Sequence, residues 1–150
     1  MPMIRLLLAM LLAVCLALPV RAGETALADP KPSIDTPRRI VFSLSESDPA
    51  RVNAVLTNIG NVQKFYGIDN VQMALVAYGP GLRALLKAET PVKARIEGLM
   101  AIDVEIIACG ATLETLHKSA ADLIDGVDVV PNGLPEIVER QLRGWVHLHP

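Results

Sequence analysis

Three stretches of the chain are apolar at almost every position: Arg39–Ser45 (RIVFSLS), Val71–Tyr78 (VQMALVAY) and Asp103–Ala108 (DVEIIA). Unbroken runs of this length, closed by Gly, Pro or small polar residues, predict strands buried on both faces. The stretches between them follow a different period. After Asp48-Pro49, which supplies a cap and a proline at the first helical position, Val52, Val55, Leu56, Ile59 and Val62 recur at helical spacing until Gly67. Leu82–Lys87 predicts a short helix, and Thr90-Pro91 opens another through Val92, Ile96, Leu99 and Met100.

Beyond Cys109-Gly110, the pattern predicts a short helix over Thr112–His117, one or two turns over Ser119–Ile124 and a fourth strand at Val127–Val130. Asn132-Gly133 is expected to cap a helix carrying Leu134, Ile137, Val138 and Leu142, and Trp145–Leu148 reads as a fifth strand. Strands thus alternate with one-faced helices. Such alternation predicts an α/β fold on a mostly parallel five-stranded sheet covered on both sides, with right-handed crossovers.

The first residues stand apart from this pattern. Arg5 precedes an apolar segment from Leu6 to Val20, and small or branched residues sit at Val20 and Ala22 before Gly23, so residues 1–22 are expected to be a secretory signal peptide. The segment is shorter than the roughly 20 residues of a spanning helix, so a soluble periplasmic or secreted protein of a bacterium, with no membrane partner after cleavage, is the expectation. A lipoprotein signal at Cys15 is disfavoured by branched Val14 just before it. Residues 23–37, with three prolines and no periodicity, are expected to form a flexible leader to one domain over residues 38–150. Fourteen Lys and Arg against sixteen Asp and Glu, net −2 with no basic run, argue against nucleic acid as a partner.

Removal of residues 1–22 would take Cys15 with it and leave Cys109 alone, so no internal disulfide is expected. Loops leaving the carboxyl ends of parallel strands share one edge, where ligands usually bind. That edge should gather Ser45, Tyr78, Gly79, Gly81, Cys109, Gly110, Thr112, Asn132 and Gly133. A thiol just before a helix meets free backbone N–H groups that favour the thiolate, while the plain alternative is a small apolar residue closing a buried strand. His147 and His149 alternate on the fifth strand and share a face, but two ligands are few, and no metal or cofactor is assigned. His117 is read as a solvated side chain, and Gly79-Pro80-Gly81 as a turn without the spacing of a nucleotide-binding loop.

Four segments together resemble one family: "RIVFSLSESDPARVNAVLTNIGNVQKFYG", "VQMALVAYGPGL", "DVEIIACGATLETL" and "GVDVVPNGLPEIVERQLRGWVHLHP". They are similar to DsrE/DsrF-like proteins, in the small single-domain branch with an "AYGPG" turn and a "GWxxxxP" ending. The resemblance implies a three-layer α/β/α sandwich assembled into homo-oligomers, trimers or hexamers. It also implies that Cys109 matches the cysteine that, in sulfur-relay members, accepts sulfur as a persulfide from a donor and passes it to an acceptor, these partners being proteins or small persulfides. The relay members are cytosolic, whereas this chain carries an export signal, and it has no second cysteine to resolve a persulfide internally. Two functions follow as expectations: a sulfur carrier in sulfur-compound metabolism acting through Cys109, or a non-catalytic oligomeric module that binds a small ligand or a protein and merely packs Cys109.

Overall fold

The computed structural model describes residues 23–150, so the expected signal peptide lies outside the described residues. Five strands form one sheet: β1 (Arg38–Leu44), β2 (Val71–Ala77), β3 (Val104–Cys109), β4 (Asp128–Val130) and β5 (Val146–Leu148). Their order is β4-β3-β2-β1-β5, and every neighbouring pair is parallel. Among the described residues four α-helices accompany them: α1 (Pro49–Tyr66), α2 (Lys93–Met100), α3 (Gly110–Thr115) and α4 (Gly133–Leu142).

Connections from β1 to β4 step one way across the sheet, so right-handed crossovers place their helices on one face. The connection from β4 to β5 runs back past the other strands and lays α4 on the opposite face. Side-chain alternation agrees. Ile40, Phe42, Leu44, Met73, Leu75, Val104 and Ile106 join the larger core with Val52, Leu56 and Ile59 of α1 and Ile96 of α2. Val41, Ala74, Val76 and Ile107 meet Ile137 of α4 in a second, smaller core. Among the described residues α4 alone covers that face, and it buries Ile137 while leaving Leu134, Val138 and Leu142 more than half exposed.

Local chemistry explains most element boundaries. The Asp48 carboxylate accepts from the Arg51 N–H at 3.0 Å and caps α1, and Gly67, at φ +86°, ends it. Where a helix was expected over Leu82–Lys87, Gly79–Leu85 winds instead as a 3₁₀ helix. Helix α2 begins at Lys93, later than Thr90-Pro91 suggested, because the Thr90 hydroxyl holds the Val92 N–H in a turn at 3.2 Å. Helix α3 starts directly after Cys109 and stops at Thr115, with His117 in the left-handed region at φ +53°. Residues 23–37 carry no helix or strand, although the Arg38 guanidinium reaches back to the Ala28 carbonyl at 2.6 Å. Among the described residues no helix is long and apolar enough to cross a membrane.

Under α4 lies a charged cluster that the sequence did not announce. Arg140 is 8% exposed and donates to Glu105 of β3 at 2.6 Å and to Glu136 at 2.7 Å, with its guanidinium 4.5 Å from the centre of the Trp145 ring. These contacts fasten α4 to the sheet. Arg140→Ala is expected to cost about 2 kcal/mol, the scale of hydrogen bonds to charged groups, measured by chemical denaturation.

Candidate functional site

The edge formed by the carboxyl ends of the strands runs from the Pro131–Gly133 loop after β4, through Cys109 and Tyr78–Gly81, to Ser45 after β1. Chains leaving β3 and β4 part company there. After β3 the chain turns into α3 on the larger-core side, and after β4 it turns into α4 on the other. Ligands of open parallel sheets bind where neighbouring connections diverge in this way. Cys109 is the last residue of β3, paired in register with Val130 of β4, so it stands at that divergence.

Its side chain is 3% exposed. Burial pushes the Cys109 thiol up, but the Thr112 side chain and then the backbone N–H groups of Gly133, Thr112 and Ala111 pull it down by more, leaving it below the usual thiol range. Two of these donors are fixed by the surrounding fold. The Thr112 hydroxyl oxygen accepts from the Gly79 N–H at 3.0 Å, which frees its single proton for the sulfur. Gly133 opens α4 beside Cys109, and the Asn132 side chain makes no capping bond, because Pro135 three residues along has no N–H to give it.

The glycines allow this close assembly. A β-carbon on Gly133 would lie 3.1 Å from Val76 Cγ1 and 3.2 Å from Cys109 Cβ, and one on Gly110 would lie 3.0 Å from the Val130 carbonyl oxygen. The Ala111 N–H also donates to the Pro131 carbonyl at 3.1 Å, tying the two loops together.

The structure therefore brings Cys109, Gly110, Thr112, Gly133 and Gly79 into one cluster. Tyr78 is half-buried beside it, its β-carbon 3.4 Å from where a Gly133 β-carbon would stand. Asn132 lies exposed on the covering loop. Gly81 packs on the end of β1, and Ser45 lies two strands from Cys109, about 10 Å along the sheet. Neither reaches the sulfur.

Two features beyond the expected residues stand out. A cavity of about 280 Å³ lies between the start of α1 and the 3₁₀ segment, lined by Ser47, Val52, Ala84 and the Arg83–Glu89 ion pair. Ser43, 1% exposed, holds both His147 Nε2 at 2.9 Å and His149 Nδ1 at 2.8 Å on the α4 face. Burial, and then the neighbouring His149, push the His147 imidazole below its usual value. A polar residue inside the apolar run RIVFSLS was the one sequence signal for Ser43.

Residues 40–150 match the DsrE/DsrF-like family. The chain belongs to that family. A protein of unknown function from Methanobacterium thermoautotrophicum, MTH1491, is 32% identical, with a TM-score of 0.72 over 75% of this chain and 99% of its own. The ychN protein of E. coli is similar in fold at 19% identity and a TM-score of 0.62, over 77% of this chain and 99% of its own. So is BT1422 of Bacteroides thetaiotaomicron, a conserved protein of unknown function, at 18% identity and a TM-score of 0.61, over 75% and 94% of the two chains. No curated protein matches the chain. The DsrE-like α/β fold is thus established, and membership suggests a role related to sulfur relay.

Proposed function

We propose that this DsrE-like protein is an exported sulfur carrier that holds sulfane sulfur as a persulfide on Cys109. The observation that carries the reading is the position of Cys109: it closes β3 where the chains leaving β3 and β4 diverge, directly before α3 and against Gly133 at the start of α4. The Thr112 side chain and the nearby backbone favour its thiolate. As thiolate, Cys109 attacks the outer sulfur of a donor persulfide; the donor S–S bond breaks, the donor leaves as its thiolate, and Cys109–S–SH results. An acceptor thiolate then attacks that outer sulfur, takes it as its own persulfide and regenerates the Cys109 thiolate. No external oxidant or reductant is required in either step. Cys109 is 3% exposed, so transfer requires the loops around it to open.

Intact-mass measurement after incubation with polysulfide or glutathione persulfide tests this. The expected result is a gain of one sulfur, roughly 32 Da, on the wild type and none on Cys109→Ser, reversed by a thiol reductant. No adduct with either donor overturns it.

The burial of Cys109 favours a second reading, a non-catalytic binding module with a structural cysteine. Its ligand would then sit in the cavity beside Arg83 and Glu89 rather than at the Tyr78–Gly81 and Pro131–Gly133 loops. A Cys109→Ala protein that keeps its ligand binding and its role in the cell supports that reading.

A further inference from the structure

Ser43, His147 and His149 bring three donor atoms to one point, and nothing in the sulfur chemistry of Cys109 uses them. Strand β5 lies on the outer side of β1, with His147 opposite Val41, so the two histidines and Ser43 project to the same face. His147 presents Nε2 and His149 presents Nδ1, at 2.9 and 2.8 Å from the Ser43 hydroxyl oxygen. That hydroxyl has one proton, so it serves one ring nitrogen as donor and the other only as acceptor. Such an arrangement ties β5 to β1, but it is also the layout of a chelate.

We propose that Ser43, His147 and His149 form a site for one divalent transition-metal ion of the copper(II) or nickel(II) class.

Ligand spacing is the first argument. Around an ion with bonds of about 2.05 Å, neighbouring ligands at right angles are about 2.9 Å apart, whereas tetrahedral neighbours are about 3.3 Å apart. Both observed nitrogen-to-oxygen distances match the right-angled spacing, so an ion can replace the hydrogen bonds once the two rings turn from the Ser43 oxygen towards it. Square or octahedral geometry with imidazole ligands suits Cu(II) and Ni(II) better than tetrahedral Zn(II).

Preorganisation is the second. Ser43 is anchored on β1 at 1% exposure, and His147 is half-buried. His149 is exposed and gives the ion an entry path, with water free to complete the coordination. Ser43 and His149, but not His147, also border a cleft of about 10 Å³ with Leu44, Ser45, Glu46 and Val55, room for one water beside the ion. Glu46 and Arg51, 3.7 Å apart in a loose ion pair, both border it, so the local charge is balanced. Among the described residues no group of three or more His, Cys, Asp or Glu side chains could hold a metal, so the Ser43 hydroxyl is what raises this pair to three donors.

The test is a calorimetric titration of Cu²⁺ into the full chain carrying Cys15→Ser and Cys109→Ser, which removes both competing thiols, with electron paramagnetic resonance on the product. One equivalent is expected, with coupling to two imidazole nitrogens. His147→Ala and His149→Ala should each weaken binding by about 100-fold and Ser43→Ala by about tenfold, while His117→Ala changes nothing. Far-UV circular dichroism checks each fold; should His147→Ala fail to fold, His149→Asn at the exposed position decides. Absence of a saturable equivalent, or an unchanged affinity in the folded His149→Asn protein, overturns the site.

Discussion

Gly81→Ala is expected to lower stability by about 3 kcal/mol or more, the upper range for overpacking a closed core. A β-carbon there would lie 2.2 Å from the Leu44 carbonyl oxygen, 2.6 Å from its carbon and 2.9 Å from the Ser45 nitrogen. All three atoms belong to the main chain of β1 and its exit, so no side-chain rotation relieves the clash. The 3₁₀ segment must lift from the sheet, which uncovers Leu82 and Leu85, both fully buried, and strains the bond from the Tyr78 N–H to the Leu44 carbonyl at 3.0 Å. For a domain of this size the melting temperature should fall on the order of 10 °C. Gly60 is the contrast. It lies inside α1 with nothing within 4 Å of its missing β-carbon, so Gly60→Ala should raise stability by about 0.5–1 kcal/mol. Equal melting curves for the two variants would show that the turn does not pack on β1 as described.

The same contact shows what a sequence can and cannot carry. Gly81 was legible as a turn residue and as part of the ligand edge, because Gly-Pro-Gly after an apolar run has few other uses. Its real constraint, the approach of a neighbouring strand's main chain, depends on which strands are neighbours, and that order is not written locally. Strands β1, β2 and β3 were legible for a different reason: burial on both faces leaves an apolar residue at nearly every position. Strands β4 and β5 are three residues each and stand at the sheet edges, so their apolar signal is short and their ends shifted by a residue.

Caps divide the same way. Asp48 performed as its residue type predicts, since its partner is three residues along the chain. Asn132 did not, because the residue three along is Pro135, which has no N–H to offer the cap. Cys109 itself was placed correctly at the strand end and before a helix. The share of its environment that comes from Gly133 and from the Gly79–Thr112 bond was invisible, because both arise only when β2, β3 and β4 lie side by side. Ser45 shares the edge but not the cluster for the mirror reason: strand β2 stands between its strand and that of Cys109.

Thr112→Val should raise the pKa of Cys109 towards the ordinary thiol value of about 8.5. Valine keeps the shape of threonine and removes the hydroxyl, the strongest of the groups that pull this thiol down; Thr112→Ser keeps the hydroxyl and should restore most of the effect. The readout is the stability of the reduced protein as a function of pH. A thiol whose pKa is lower in the folded chain than in the unfolded one loses its proton first in the folded state, so unfolding takes up a proton between the two values. Stability from this source is therefore fully present above the unfolded value of about 8.5 and is lost as the pH falls through the folded value. Denaturant titrations should show the wild type gaining stability as the pH rises across that window, relative to Cys109→Ser. Thr112→Val should show a smaller gain, and Thr112→Ser nearly the full one. The opposite slope, with the wild type losing stability as the thiol ionises, would mean that burial outweighs the donors. Cys109 would then be a packing residue at the end of β3, and the converging N–H groups would serve the loops rather than the sulfur.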